Sequence, residues 1–306
     1  MCWNCQERGS FNFKHLMSSP IKEVQFQKKK YKQSFFDMVS LSDLLRMQPS
    51  DHSQYEHHKL TFFVLLFITE GKGRHSINFR DYSYEKGSVF AIGKGSIHKF
   101  YPGSAEGYLL VFTEDFILEY LNQENSSKLF QLFNEYLASP KQQLSEIDFF
   151  KSKSYIDSIQ EEFFSWRDDF SRELIWSFLH IIVTQLLRIK SSENKVFAKT
   201  KYLQLFLKFQ ELVELHSTEH KSVSFYADKL SITPRTLNNV TNDTIHKSAK
   251  TVIDEIIVLK VKRLLISSTL NIAQIAYQTG FKEPSHFSKF FVKYTGYTPR
   301  KFKELF

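Results

Sequence analysis

Cys2 and Cys5 form a C-x-x-C pair, and His57, His58, His75 and His98 follow over the first third of the chain. Thiolates and imidazoles are the side chains that hold transition metals. A structural zinc site closes with about four ligands, and two cysteines without a second pair do not close one. A redox pair needs a thioredoxin-like βαβ context, which the neighbouring sequence lacks. His75 and His98 read as isolated strand or turn residues, and His57-His58 as surface loop, so no metal, no cofactor and no catalytic residue is expected. Another chemistry is written in the last third. From Lys195 to Phe306, 15 Lys and 3 Arg stand against 9 Asp and Glu, a net of +9; the whole chain is +8, so residues 1–194 carry about −1. Basic charge confined to one segment fits a polyanion-facing module.

Elements must position these groups. At 306 residues the chain is long enough for two ordinary domains and a connecting element. With 42% hydrophobic and 24% charged residues it reads as globular. The longest apolar run, Leu60 to Ile68, has the length of a buried strand and falls short of the roughly 18 residues of a membrane span. The N-terminus lacks the basic, apolar, small-residue order of a secretory signal. A cytoplasmic protein with no membrane partner is expected, with residues 1–17 as a disordered tail and Met17 as an alternative start.

Residues 20 to 55 show little periodicity apart from the basic run Lys28–Lys32. From Leu60 to Thr113 short strands alternate with turns: a turn at Glu70–Gly73, alternation over Arg74–Phe79, a turn over Asp81–Gly87, and a strand at Ser88–Ile92. Turns at Gly93–Gly95 and Pro102–Ser104 and a strand over Gly107–Thr113 complete the series. This pattern predicts an antiparallel sandwich or small barrel. After Glu114 the period becomes helical, predicting helices over 115–138, 146–168 and 171–190, a linker at Ser191–Asn194, and a helix over 200–216.

Two C-terminal segments repeat one another. Val223, Tyr226, Ala227 and Leu230 fall at i, i+3, i+4 and i+7, as do Ile272, Ile275, Ala276 and Thr279. Each predicts a short helix with one buried stripe, followed by a tight turn ending in a buried Ile232 or Phe281. A second helix then starts at Pro234 or Pro284, where proline's missing N–H costs nothing, and Thr233 suits the N-cap. The expected inward positions are Leu237 with Val240, and Phe287 with Phe290. Two helices joined by a short turn match helix-turn-helix geometry, whose second helix enters the major groove. Between the units, Ser248 to Ser267 reads as one helix of roughly 30 Å, about one turn of B-DNA.

Ile272–Phe281, then Ser285–Phe291, then Tyr294–Phe302 resemble the signature of the AraC/XylS transcription regulators, with buried, turn and capping positions agreeing together. The resemblance covers about residues 200 to 306. It implies an α+β protein of two domains: a cupin-like antiparallel β-barrel with appended helices, then an all-α domain of about seven helices with two helix-turn-helix motifs. The boundaries expected are a sensor barrel over 18–114, a helical dimerisation and linker region over 115–195, and the DNA-binding domain over 196–306. Carried over by position, Arg235, Asn238 and Asn239 of the first unit and Ser285, His286, Ser288 and Lys289 of the second would read bases. Arg and Lys reach guanine O6 and N7, and Asn pairs with adenine. Thr233, Lys282, Lys293, Arg300 and Lys301 would contact phosphates. The first unit departs from the pattern with Ile245-His246 where the second has Thr295-Gly296, and with Asn239 where a basic residue is frequent.

The β-rich segment resembles cupin-like sensor domains: Gly87, Gly93, Lys94, Gly95 and His98 are similar to the second cupin motif, with Gly93 in place of proline. The first motif, with paired histidines and a glutamate, does not appear, which disfavours a metal-dependent cupin enzyme needing about three ligands. A scaffold without DNA binding is the other alternative. The resemblance implies double-stranded promoter DNA as partner, a homodimer, a small-molecule effector and contact with RNA polymerase. The residues name no effector.

Overall fold

The computed structural model describes residues 21–24, 35–46, 53–119, 131–137, 139–166, 168, 170–193 and 200–306. Cys2, Cys5, Met17, the run Lys28–Lys32 and the middle of the helix expected over 115–138 lie outside the described residues. The chain divides into two compact units, the first built from Lys22–Glu135 and Ser139–Leu187 and the second chiefly from Arg188–Phe306.

In the first unit nine strands are described: β1 (Lys22–Val24), β2 (Phe36–Ser40), β3 (His58–Leu60), β4 (Phe63–Ile77), β5 (Arg80–Glu85), β6 (Ser88–Ile92), β7 (Ile97–Phe100), β8 (Ser104–Phe112) and β9 (Lys141–Gln143). They curl into a cupin-like half-barrel in which the order β1-β3-β7-β4-β6-β9 is extended by β5 and β8 on β4 and by β2 on β8. All pairings are antiparallel except β1 with β3. The 15-residue β4 pairs with four partners because a bulge between Ile68 and Glu70, with Gly71 at φ 80°, bends it. Glu70–Gly73, expected as a turn, is therefore strand: positive φ at glycine serves a bulge as readily as a turn. The chain reverses instead at Asn78-Phe79, φ 48° and 64°, a two-residue hairpin loop whose twist suits the flanking strands. Most of the expected turn at Asp81–Gly87 is likewise β5.

The apolar run that opens β4 is buried on both faces. Val64, Leu66 and Ile68 meet Ile77, Phe90, Phe100 and Val111 in the barrel interior. Phe63, Leu65 and Phe67 are buried on the outer face, where Phe67 stacks on Phe149 and Phe63 meets Phe133, each pair at 5.3 Å. The unit also holds helices α1 (Leu41–Arg46), α2 (Glu114–Leu118) and α3 (Glu146–Ser165) and most of α4 (Phe170–Glu193), up to Leu187. The helix expected over 115–138 is not continuous: α2 ends at Leu118 and a 3₁₀ turn occupies Gln131–Phe133, which places Phe133 over Phe63 and Phe112. Ser191–Glu193, expected as linker, continue α4, since none of them is a helix breaker. By length and composition alone Phe170–Ser192 is long and apolar enough to cross a membrane, and 33% of its apolar 18-residue window is buried.

After the end of α4, seven helices are described in the second unit: α5 (Thr200–His216), α6 (Val223–Lys229), α7 (Pro234–Ile245), α8 (Ala249–Ser267), α9 (Ile272–Gln278), α10 (Pro284–Thr295) and α11 (Pro299–Leu305). Helix α8 is apolar almost all round, with Val252, Ile253, Ile256, Ile257, Val261 and Leu265 buried, so it forms the axis of the unit. Helices α5, α7, α9, α10 and α11 all pack on it.

Candidate nucleic-acid interface

The pairs α6–α7 and α9–α10 are built by the same hydrogen bonds. Ser222 caps α6, and a capping box of Asn271 and Gln274 opens α9. The turn in each is closed by one bond, Ile232 N to Ala227 O at 3.0 Å and Phe281 N to Ala276 O at 2.9 Å. Ser231 and Gly280 occupy matching left-handed positions at φ 55° and 76°. Ala227 and Ala276 are fully buried, which lets the second helix approach. In α10 the inward pair is Phe287 with Phe291, not Phe290. Phe290 is half-buried and lies between Phe281, at 5.1 Å, and Tyr294, at 5.0 Å.

The second helix of each pair presents a polar face. Arg235 and Asn239 on α7 are exposed, and their side chains make no hydrogen bond or ion pair among the described residues. Lys289 on α10 is exposed in the same way. His286 Nε2 lies 3.8 Å from Glu283, and Ser285 Oγ donates to the same carboxylate at 3.2 Å. Asn238 is placed differently from the expectation. Its Nδ2 donates to Pro234 O and its Oδ1 accepts from Ala249 N, both at 3.0 Å, so its amide is engaged in joining α7 to α8. Ser288 at the matching position donates to Pro284 O at 2.9 Å, and Pro299, which matches Ala249, has no N–H to satisfy. Both are half-buried, and their polar atoms serve the helix pair.

Of the expected phosphate contacts, Thr233 Oγ1 accepts from Thr236 N at 3.1 Å as the α7 N-cap. Lys282 and Lys301 are exposed with uncommitted ammonium groups, Lys293 lies 5.3 Å from the Tyr294 ring centroid, and Arg300 pairs with Glu304 at 3.1 Å. Two exposed residues escaped the sequence reading: Asn242 and Val292 continue the stripes of Asn239 and Lys289 one turn on. Their i+3 spacing was the signal available.

The half-barrel gathers the histidines that looked isolated. His58 faces His98 across the β3–β7 register, and His75 lies on β4 two residues from Ile77, the residue paired with His98 there. His75 Nε2 lies 3.0 Å from His98 Nδ1, and the His75 ring stacks on Phe100 at 4.2 Å. His58, expected in a loop, is a buried strand residue. Burial lowers His75 to about 3; burial, then His75, His58 and His57, hold His98 well below the usual imidazole range. Among the described residues no group of three His, Cys, Asp or Glu is arranged to hold a metal ion. His75 Nδ1 and the hydroxyl of Tyr84 are buried without a hydrogen-bond partner among the described residues, and both rings meet Phe90 edge-on.

Residues 44–147 match the AraC-like ligand binding domain family and residues 226–304 match the helix-turn-helix domain family. The chain therefore carries an AraC-like ligand binding domain followed by a helix-turn-helix domain, the two parts that AraC-type regulators join. A 101-residue stretch is 33% identical to part of histidine kinase P4 of Formosa agariphila, spanning 33% of this chain and 7% of that protein. Among solved structures, ToxT from Vibrio cholerae with a bound unsaturated fatty acid is 17% identical over 88% of this chain and 94% of its own, with a TM-score of 0.43. A transcriptional regulator with an AraC-type DNA-binding domain from Chromobacterium violaceum is 20% identical over 35% of this chain and 95% of its own, with a TM-score of 0.32.

Proposed function

We propose that this regulator reads two adjacent major-groove segments of a promoter. Arg235 and Asn239 read bases from α7, and Ser285, His286 and Lys289 from α10. Lys282, Lys293, Arg300 and Lys301 grip phosphates, while Thr233, Asn238 and Ser288 hold the reading helices in shape. The observation that carries this reading is the pair of matched helix-turn-helix motifs, each turning an exposed polar face outward in the segment that holds all the basic excess. The division of labour is a sensor over 18–114, a helical region over 115–195 and a DNA-binding unit over 196–306. The protein works in the cytoplasm, without enzymatic activity, as a homodimer that engages RNA polymerase. The dimer contact lies on α4, where Phe170, Leu174 and Ile181 are exposed at i, i+4 and i+11. The effector is a small molecule that hydrogen-bonds His75 and Tyr84 inside the barrel, since buried polar atoms without partners are costly unless a ligand or water meets them.

Selection of bound fragments from random duplex DNA by the full chain tests the proposal. A recovered motif with two half-sites about one helical turn apart is the expected result, with affinity falling steeply as salt rises. Binding that is equal for all duplexes would refute sequence reading, and no binding at low salt would refute the DNA-binding proposal.

A further inference from the structure

Two reading helices serve one DNA site only if their separation is held. Lys221, in the connector before α6, donates from Nζ to Gly280 O at 2.6 Å and lies 3.6 Å from the Phe281 ring centroid. The same connector meets that turn through its backbone, for a Cβ added to Gly280 would overlap the Thr218 carbonyl oxygen. Asp254, in the second turn of α8, is buried; it pairs with Lys250 Nζ at 2.6 Å and accepts the Tyr294 hydroxyl at 2.6 Å. Tyr294 belongs to the last turn of α10, and Lys250 Nζ also reaches Lys221 O at 3.4 Å. These contacts join the start of the first motif, the start of the connecting helix, and both the turn and the end of the second motif. Neither helix pair draws its own core from them: Tyr226, Ala227 and Leu237 fill one, and Ile275, Ala276 and Phe287 fill the other.

We infer that Asp254 and Tyr294, together with Lys221, are positioning residues that set the spacing between the two reading helices. The protein then selects the separation of two half-sites as well as their sequence. The inference rests on the double reading proposed above. Apolar contacts along α8 are non-directional and allow a helix to slide or roll. A buried carboxylate with two partners at 2.6 Å resists such displacement, because a shift of about an ångström breaks charge-assisted bonds and leaves the charge unpaired. Buried polar groups that specify register rather than stability act by the same physics.

The test uses the full chain and half-sites recovered by selection with the wild-type protein, placed at separations differing by one base pair. Wild-type protein is expected to prefer one separation. Tyr294→Phe and Asp254→Asn are expected to reduce that preference about tenfold, the scale of one hydrogen bond to a charged group, with unchanged binding to a duplex carrying a single half-site. Lys221→Met removes the link to Gly280 while leaving both hydrogen-bond partners of Asp254, Lys250 and Tyr294, in place, and is expected to act in the same direction; thermal melts verify that each variant is folded. An unaltered separation profile in folded Tyr294→Phe and Lys221→Met overturns the inference and leaves the DNA-reading proposal standing. Equal losses on single and paired half-sites overturn it as well, since α10 itself would then be damaged. A wild-type protein without sequence preference defeats the reading beneath the inference, an outcome visible before any variant is made.

Discussion

The two helix-turn-helix motifs reach one backbone by different residues. Where the second uses Gly280 and Gly296 at its left-handed positions, the first uses Ser231 and His246, at φ 55° and 56°. Where Asn238 accepts the first amide of α8, the second motif begins its next helix with Pro299 and needs no acceptor. Where the first presents Arg235, Asn239 and Asn242, the second presents Ser285, Lys289 and Val292. The shared geometry therefore comes from the matched backbone bonds and the buried Ala227 and Ala276, which hold a serine and a histidine in a region costing L-residues about 1–2 kcal/mol. The faces turned outward are free of that constraint and differ at every matched position.

The comparison breaks most sharply at the glycines. Gly280→Ala meets the Thr218 carbonyl and a φ of 76°, and is expected to destabilise the second unit by about 2–5 kcal/mol. Gly296→Ala, at φ 75° with nothing within 4 Å, is expected to cost only about 1–2 kcal/mol. Denaturant melts of the two variants side by side check this; equal losses would mean that strain alone, and not the contact with Thr218, sets the cost. Next in size are the reading faces. Lys289→Ala and Arg235→Ala are each expected to lose about 1–3 kcal/mol of discrimination at their own base positions, while Lys301→Ala weakens every duplex alike and lowers the salt slope by about 1. If Lys289→Ala keeps full discrimination, α10 does not read bases.

Acidification separates the barrel from the DNA-binding unit. His75 is neutral in the fold, with its pKa lowered by burial from 6.5 to about 3. Between those values the unfolded chain binds the extra proton, so stability is retained above pH 6.5 and lost as pH falls. The slope approaches at most about 1.4 kcal/mol per pH unit for this one group. His75→Phe is expected to flatten the acid limb of the melting-temperature profile between pH 7 and 5; an unchanged limb would assign the loss to other groups. The smallest effects are expected at the non-glycine turns. Ser231→Gly and His246→Gly relieve positive φ but loosen the unfolded chain, for a net gain of up to about 1 kcal/mol in urea melts.

Much of the second unit was legible in the sequence, because helix spacing, prolines at Pro234 and Pro284, and caps such as Thr233 are local signals read within one or two turns. The barrel was legible as a class but not in its turns. Gly71 marks a bulge, while the reversal falls on Asn78-Phe79, where neither residue is glycine. The inward pair of α10 was misplaced by one residue, since Phe290 and Phe291 are alike in hydrophobicity and only the packing of Phe281 and Tyr294 distinguishes them.

Local order along the chain was enough to determine the double motif, the polarity of its outward faces, and the concentration of positive charge near the carboxyl end. Whatever depends on residues far apart in sequence was settled by tertiary packing alone. His58, His75 and His98 meet because three strands pair in register; Asn238 is withdrawn from the outward face because Ala249 lies beside it; Lys221, Asp254, Gly280 and Tyr294 converge because α8 brings them together. Side-chain type specifies what a group can bond to, and only the folded chain specifies which partner comes within about 3 Å.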